Sequence, residues 1–304
     1  MRLLPALVCL VSAVSFAQYN SLAGQNAPAA AEPKRVERRG PNGDVKVEYV
    51  KEELKRDGYG NASGSQYDLA VDGAFTGQTV LLVDLYRQDF SRAAAALKQK
   101  GFSVVRYSDV PPLAEFKAGL AKSNQFWIIA SCDDAVHLSK AHQQAVKAFF
   151  DAGHGVYLWG DNDPCNADAD SLATMLIDAR VKGDLPGDQT VGRSMAAGKP
   201  GVVSNHLLST GVENVYEGIT VATVKPAGAM TPVIYGSAGN LIAAAFESNG
   251  KRLLVDGGFT RLSYKWDSAG TGRYVMNAAA WLANYERFGN EVVAAEFKKA
   301  DAKK

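Results

Sequence analysis

The sequence predicts an α/β domain in which a largely parallel sheet carries helices on both faces and an added set of short strands lies toward the C-terminus. Three observations support this. From Thr79 onward, β-branched runs alternate with segments of helical apolar spacing; the runs are apolar throughout rather than at every second position; and glycines end the helical segments. Strands apolar on both faces and joined through helices pair in parallel, because right-handed crossovers lay the helices over the sheet.

In chain order, Thr79 to Leu85 (TVLLVDL) is the first strand, and a helix over Phe90 to Lys100 stops before Gly101. Ser103 to Tyr107 is a strand, Leu113 to Ala121 a helix, Phe126 to Ala130 a strand, Ser139 to Ala152 a helix and Gly155 to Trp159 a strand. Asp161 to Arg180 reads as a loop and a helix, and Gly183 to Gly187 as a Pro/Gly turn. Shorter strands follow at Gly218 to Val224, Pro232 to Tyr235, Leu241 to Phe246 and Arg252 to Val255. Gly239-Asn240 and Asn249-Gly250 suit hairpin connections between them. A helix over Thr271 to Tyr285 closes the domain, and no longer period marks a solenoid or propeller.

The N-terminus has the form of a cleavable signal peptide, residues 1–17: Arg2, an apolar run from Leu3 to Phe16, and Ser15-Phe16-Ala17 before Gln18. The run is shorter than the roughly 20 residues that span a bilayer. A secreted or periplasmic protein with no stable membrane span after cleavage is expected. Residues 18–76, with the almost purely polar stretch Lys34 to Gly43, read as a polar disordered linker. Within it Val45 to Val50 alternates like a short strand, and Asn61-Ala62-Ser63 matches a glycosylation triplet. The domain then covers residues 77–288, and residues 289–304 form a charged tail. With 33 basic and 32 acidic residues the net charge is +1, which leaves no field to recruit nucleic acid.

Ligand crevices of open parallel sheets lie beyond the carboxyl ends of the strands. That rule selects Asp84 after the first strand, Asp133 and Asp134 after the third, Asp161, Asn162 and Asp163 after the fourth, and Asp256 after the last. The rim is acidic, and a ligand or protein partner is expected there. The segment DNDPCNADAD places Asp161, Asp163, Asp168 and Asp170 close together, a hard oxygen set that suits Ca²⁺ or Mg²⁺. The competing reading is that these carboxylates cap turns and the next helix. A bound divalent ion would make the chain a metal-assisted hydrolase acting on a sugar or ester. A third reading is a structural assembly protein with Tyr264, Trp266 and Tyr274 as contact anchors. His137, His142, His154 and His206 are scattered and show no zincin spacing.

Signal cleavage leaves Cys132 and Cys165, in a compartment where disulfides persist. Each follows one of two strands that are neighbours in a flavodoxin-like order, which predicts a Cys132–Cys165 bridge. Asp133 and Asp134 beside Cys132 disfavour a thiolate nucleophile.

From Thr79 to Tyr285 the pattern resembles the class I glutamine amidotransferase-like superfamily. The resemblance rests on strand order and on three stretches: Gly155 to Asp163 (GVYLWGDND) at the elbow, Asn205 to Thr220 (NHLLSTGVENVYEGIT), and Gly250 to Leu282. Amidotransferases place a Gly-flanked Cys at the elbow and a His-x-Glu pair later. Here Asp161 falls in the elbow region and no His follows His206. The resemblance therefore implies the fold and a ligand crevice, and the leading expectation is an exported, non-catalytic ligand- or partner-binding domain.

Overall fold

The computed structural model describes residues 33–39, 44–51, 56–63, 68–193, 195–196, 198–204, 206–267, 269–285 and 287–288. The expected signal peptide and charged tail lie outside the described residues.

The strands in chain order are β1 (Pro33–Arg39), β2 (Val45–Lys51), β3 (Thr79–Asp84), β4 (Ser103–Tyr107), β5 (Gln125–Ile129), β6 (Gly155–Trp159), β7 (Arg180–Pro186), β8 (Thr190–Gly192), β9 (Met195–Ala196), β10 (Lys199–Pro200), β11 (Asn214–Tyr216), β12 (Thr220–Lys225), β13 (Met230–Tyr235), β14 (Leu241–Ser248) and β15 (Lys251–Asp256). The helices are α1 (Ser91–Gln99), α2 (Leu113–Leu120), α3 (Lys140–Asp151), α4 (Ala167–Ile177) and α5 (Thr271–Leu282).

Seven strands form the central sheet, in the order β13-β14-β15-β6-β5-β3-β4. β4, β3, β5, β6 and β15 are parallel, and β14 and β13 continue antiparallel beyond β15. Numbered by appearance, the parallel part runs 2-1-3-4-5, the flavodoxin-like order. The pleat sorts each apolar run onto two cores. Val80 and Leu82 of β3, Trp127 and Ile129 of β5, and Tyr157 and Trp159 of β6 face the core shared with α1 and α5. Leu81, Val83, Phe126, Ile128, Val156 and Leu158 face the core shared with α2, α3 and α4. Two covered faces are why these strands read as continuously apolar.

The domain begins before Gly77. Leu69 and Phe75 are fully buried, and Phe75 stacks on Phe102 with ring centroids 4.6 Å apart. Lys100, 1% exposed, donates to Asp68 Oδ2 at 2.8 Å, Ala70 O at 2.7 Å and Asp72 Oδ1 at 2.8 Å, and Arg273 also pairs with Asp68. Residues 68–76 are thus part of the fold rather than linker, held by ion pairs that a hydrophobicity pattern does not register. Asn61 of the glycosylation triplet is also buried, accepting from Glu213 N at 2.7 Å and Asn214 N at 2.6 Å.

The stretch expected as a Pro/Gly turn is strand β7, paired antiparallel with β12. Gly183, at φ 109°, lies where the register slips between Val221 and Thr223, so the glycine marks a β-bulge and not a reversal. The expected hairpins are present at Gly239-Asn240 and Asn249-Gly250. Asn249 and Gly250 take φ of 51° and 68°, the two positive values a type I′ turn requires.

Candidate functional site

The carboxyl ends of the strands carry every carboxylate the rim rule selected, but on two levels. Asp84, Asp161 and Asp256 point inward. Asp84 is fully buried and accepts from Arg106 Nη2 at 2.5 Å and Arg87 N at 2.8 Å. Asp256 is fully buried against Arg261 Nη1 at 3.1 Å, Tyr274 OH at 3.0 Å and Gly258 N at 3.0 Å. Burial raises its carboxyl above the usual range, and Arg261 opposes that shift. Asp161, 1% exposed, accepts from Asn162 N at 2.8 Å, Thr260 N at 3.2 Å and Thr220 Oγ1 at 3.2 Å. Burial pushes it up to about 6. These three groups lock the strand ends together; as direct ligand contacts they are corrected. Asn162 is half-buried and accepts from Thr220 Oγ1 at 2.6 Å.

Asp133, Asp134 and Asp163 stay exposed on the outer level. Asp163 accepts from Asn166 Nδ2 at 2.6 Å and Gly183 N at 3.2 Å, which ties the β6–α4 loop to the β7 bulge. A cleft of about 820 Å³ opens here between the β5–α3 and β6–α4 loops. Asp134, Asp163, Asn166, Asp170, Arg180 and Lys182 give it its polar lining. Cys132 and Cys165 form the expected disulfide and join the two loops that make its walls.

The expected Ca²⁺ or Mg²⁺ set does not form. Asp168 accepts from two backbone amides of the neighbouring loop, and Asp170 is held by Arg180 Nε at 2.8 Å, Arg180 Nη2 at 2.7 Å and Val181 N at 2.8 Å. With Asp161 and Asp163 engaged elsewhere, the four carboxylates diverge. Among the described residues no group of three His, Cys, Asp or Glu converges as a metal site. The residues therefore do not fit a divalent ion, and the capping reading holds for them. Of the proposed contact aromatics, Trp266 and Tyr274 are buried at 7% and 1%, and only Tyr264 is exposed, at 48%.

The structure also makes a pair that the sequence did not disclose. His137 Nδ1 lies 3.1 Å from Asp168 Oδ2, although the two are 31 positions apart. Glu217, buried and accepting from Ser237 N and Oγ at 2.7 Å each, is a second such residue. Their loops carry no local periodicity that would have marked either.

At the elbow region no residue from Trp159 to Asn166 has a positive φ, so the strained turn of a nucleophile elbow is not formed there. The class this architecture defines is a flavodoxin-like α/β domain with an antiparallel extension. Scans of protein-family models and of curated proteins return no match. Solved structures similar to this chain include a cytoplasmic protein from Salmonella typhimurium LT2, at 10% identity over 68% of this chain and 97% of that one, TM-score 0.48. A GMP synthase component from Thermoplasma acidophilum matches at 10% identity over 70% of this chain and 98% of that one, TM-score 0.46. PurLQS from Thermotoga maritima matches at 9% identity over 69% and 99%, TM-score 0.41.

Proposed function

We propose that the chain is an exported ligand-binding domain of class I glutamine amidotransferase-like fold, whose ligand occupies the cleft between the β5–α3 and β6–α4 loops. The cleft is the observation that carries this reading. Its volume of about 820 Å³ falls within the range of small-molecule sites, it lies at the carboxyl end of the sheet, and a disulfide braces its walls. Binding rather than amidotransfer is supported because both mature cysteines are consumed in that bridge and Asp161 is hydrogen-bonded into the fold. The signal-like N-terminus together with the disulfide supports an extracytoplasmic location.

The cleft mixes carboxylates, Arg180, Lys182, Gln143, Ser171 and Thr174, which favours a small polar ligand. A thermal-shift screen of the mature protein against monosaccharides, sugar acids, amino acids and short acyl esters, followed by calorimetry of each hit, tests this. A ligand that raises the melting temperature in the parent but not in Ala167→Trp, which fills the cleft, is expected. Hits that stabilise Ala167→Trp equally would place binding elsewhere and end the proposal.

A further inference from the structure

Asp168 sits in the first turn of α4 with its side chain fully buried, and its bonding is directed at one neighbour. Oδ1 accepts from His137 N at 2.7 Å and Leu138 N at 3.2 Å, while Oδ2 faces the His137 ring Nδ1 at 3.1 Å. A carboxylate facing Nδ1 assigns the proton to that nitrogen, so in the neutral ring Nε2 carries the lone pair. His137 is 34% exposed, and its Nε2 lies 3.4 Å from Asp133 Oδ2, outside the usual N–H···O range. Two acceptors facing each other are satisfied by a shared donor, such as water or a ligand hydroxyl. Ser131 Oγ donates to the same Asp133 oxygen at 3.1 Å. Nε2, Asp133 Oδ2 and Ser131 Oγ therefore outline one spot just past β5. It adjoins the cleft, whose lining takes Asp134 and Val136 from the His137 loop and Asn166 and Ala167 from the residues beside Asp168.

From this juxtaposition we infer that His137 is the general base of a hydrolytic site, positioned by Asp168, that acts on a carboxylic ester held in the cleft. The inference rests on the cleft as the binding site and adds a reaction to it. Water between Nε2 and Asp133 attacks the acyl carbon; the new C–O bond forms as Nε2 takes the water proton. The tetrahedral centre then breaks its bond to the alcohol oxygen, and Nε2 returns the proton to that leaving oxygen. Ester and water become acid and alcohol, with no oxidant or reductant involved. An ester suits the pair because its leaving oxygen needs one proton, which the same base supplies. Cys132 and Cys165, joined to each other, offer no thiol as acyl acceptor.

The test follows release of 4-nitrophenolate from 4-nitrophenyl acetate and butyrate by the mature protein. Saturable hydrolysis is expected, with kcat/KM rising with pH through a single titration. His137→Gln, an exposed change that leaves the melting temperature intact, lowers kcat/KM by about 100-fold or more. Asp168→Asn lowers kcat with KM little changed, as a positioning role requires, whereas a purely structural role would lower the melting temperature alone. Ala167→Trp abolishes saturation. Hydrolysis that stays linear in substrate, or that is equal in parent and His137→Gln, overturns the inference. Ligands from the thermal-shift screen that bind the parent without any turnover would leave the binding proposal standing while this one falls.

Discussion

His206 and Asp161 respond to acid in opposite senses. Burial, with Arg252 adding repulsion, lowers the His206 imidazole to about 4. The unfolded chain therefore holds more protons between pH 6.5 and 4, and the stability due to His206, full above its unfolded pKa, is lost as pH falls through that window. Asp161, raised to about 6 by burial, contributes stability that is full below its ordinary value and lost as pH rises through 6. The two largely offset each other. Replacing His206 with Gln removes one arm, so the stability of the parent relative to His206→Gln should decline by up to about 3 kcal/mol between pH 7 and pH 4. Denaturant melts of both proteins across that range check this; a difference independent of pH would show that the imidazole is not buried neutral. The same residues show the reach of the rim rule. It located Asp84, Asp161 and Asp256 at the right ends of the right strands, yet side-chain direction at a strand end depends on Arg106, Thr260 and Arg261, none of which is near in sequence to the strand end it organises except Arg261.

Between elements, the Cys132–Cys165 bridge joins the loops after β5 and β6 and closes a span of 33 residues. Chain-entropy reasoning gives it about 3 to 4 kcal/mol. Replacing both cysteines with Ser should lower stability by that amount in a guanidinium melt and weaken binding in the cleft, and dithiothreitol should then have no further effect. The Asn249-Gly250 turn gives a smaller effect: Gly250→Ala places a Cβ on a left-handed residue and should cost about 1 kcal/mol, with the same slope against denaturant. The hairpin was legible because its signal is two adjacent residues. β7 was not, because a glycine that absorbs a bulge and a glycine that turns the chain are the same letter, and only pairing with β12 distinguishes them.

At the scale of the molecule, the segment before Gly77 completes the core on the α1/α5 face. Leu69 N donates to Asn277 Oδ1 at 2.7 Å across 208 positions, and Asn277 Nδ2 donates in turn to Leu208 O at 3.1 Å and Thr210 O at 2.8 Å. Gly101, at φ 99°, has a Cβ position only 2.5 Å from Thr76 N, so the chain packs directly over the end of α1. A chain that starts at Gly77 should expose this face and fail to give a cooperative melt, while one that starts at Arg56 should melt like the mature protein. Lys100→Met, which leaves Asp68 with Arg273 as its remaining cationic partner, should cost roughly 3 to 5 kcal/mol. A Gly77 start that folds with undiminished stability would return residues 68–76 to linker status.

What the sequence determined alone was the part of the structure encoded locally and periodically. Apolar runs such as TVLLVDL and GVYLW, separated by helical spacing, require strands covered on both faces, and crossover handedness then leaves a parallel sheet with its crevice at the carboxyl ends. The same topology brought Cys132 near Cys165 on strand order alone. Only the tertiary structure decided which carboxylates face solvent, that Asp168 serves His137 rather than a cation, and that residues 68–76 belong to the domain. The physical reason is that a buried polar group is stable only with partners of fixed geometry, and those partners come from anywhere in the chain, so no window of sequence contains them.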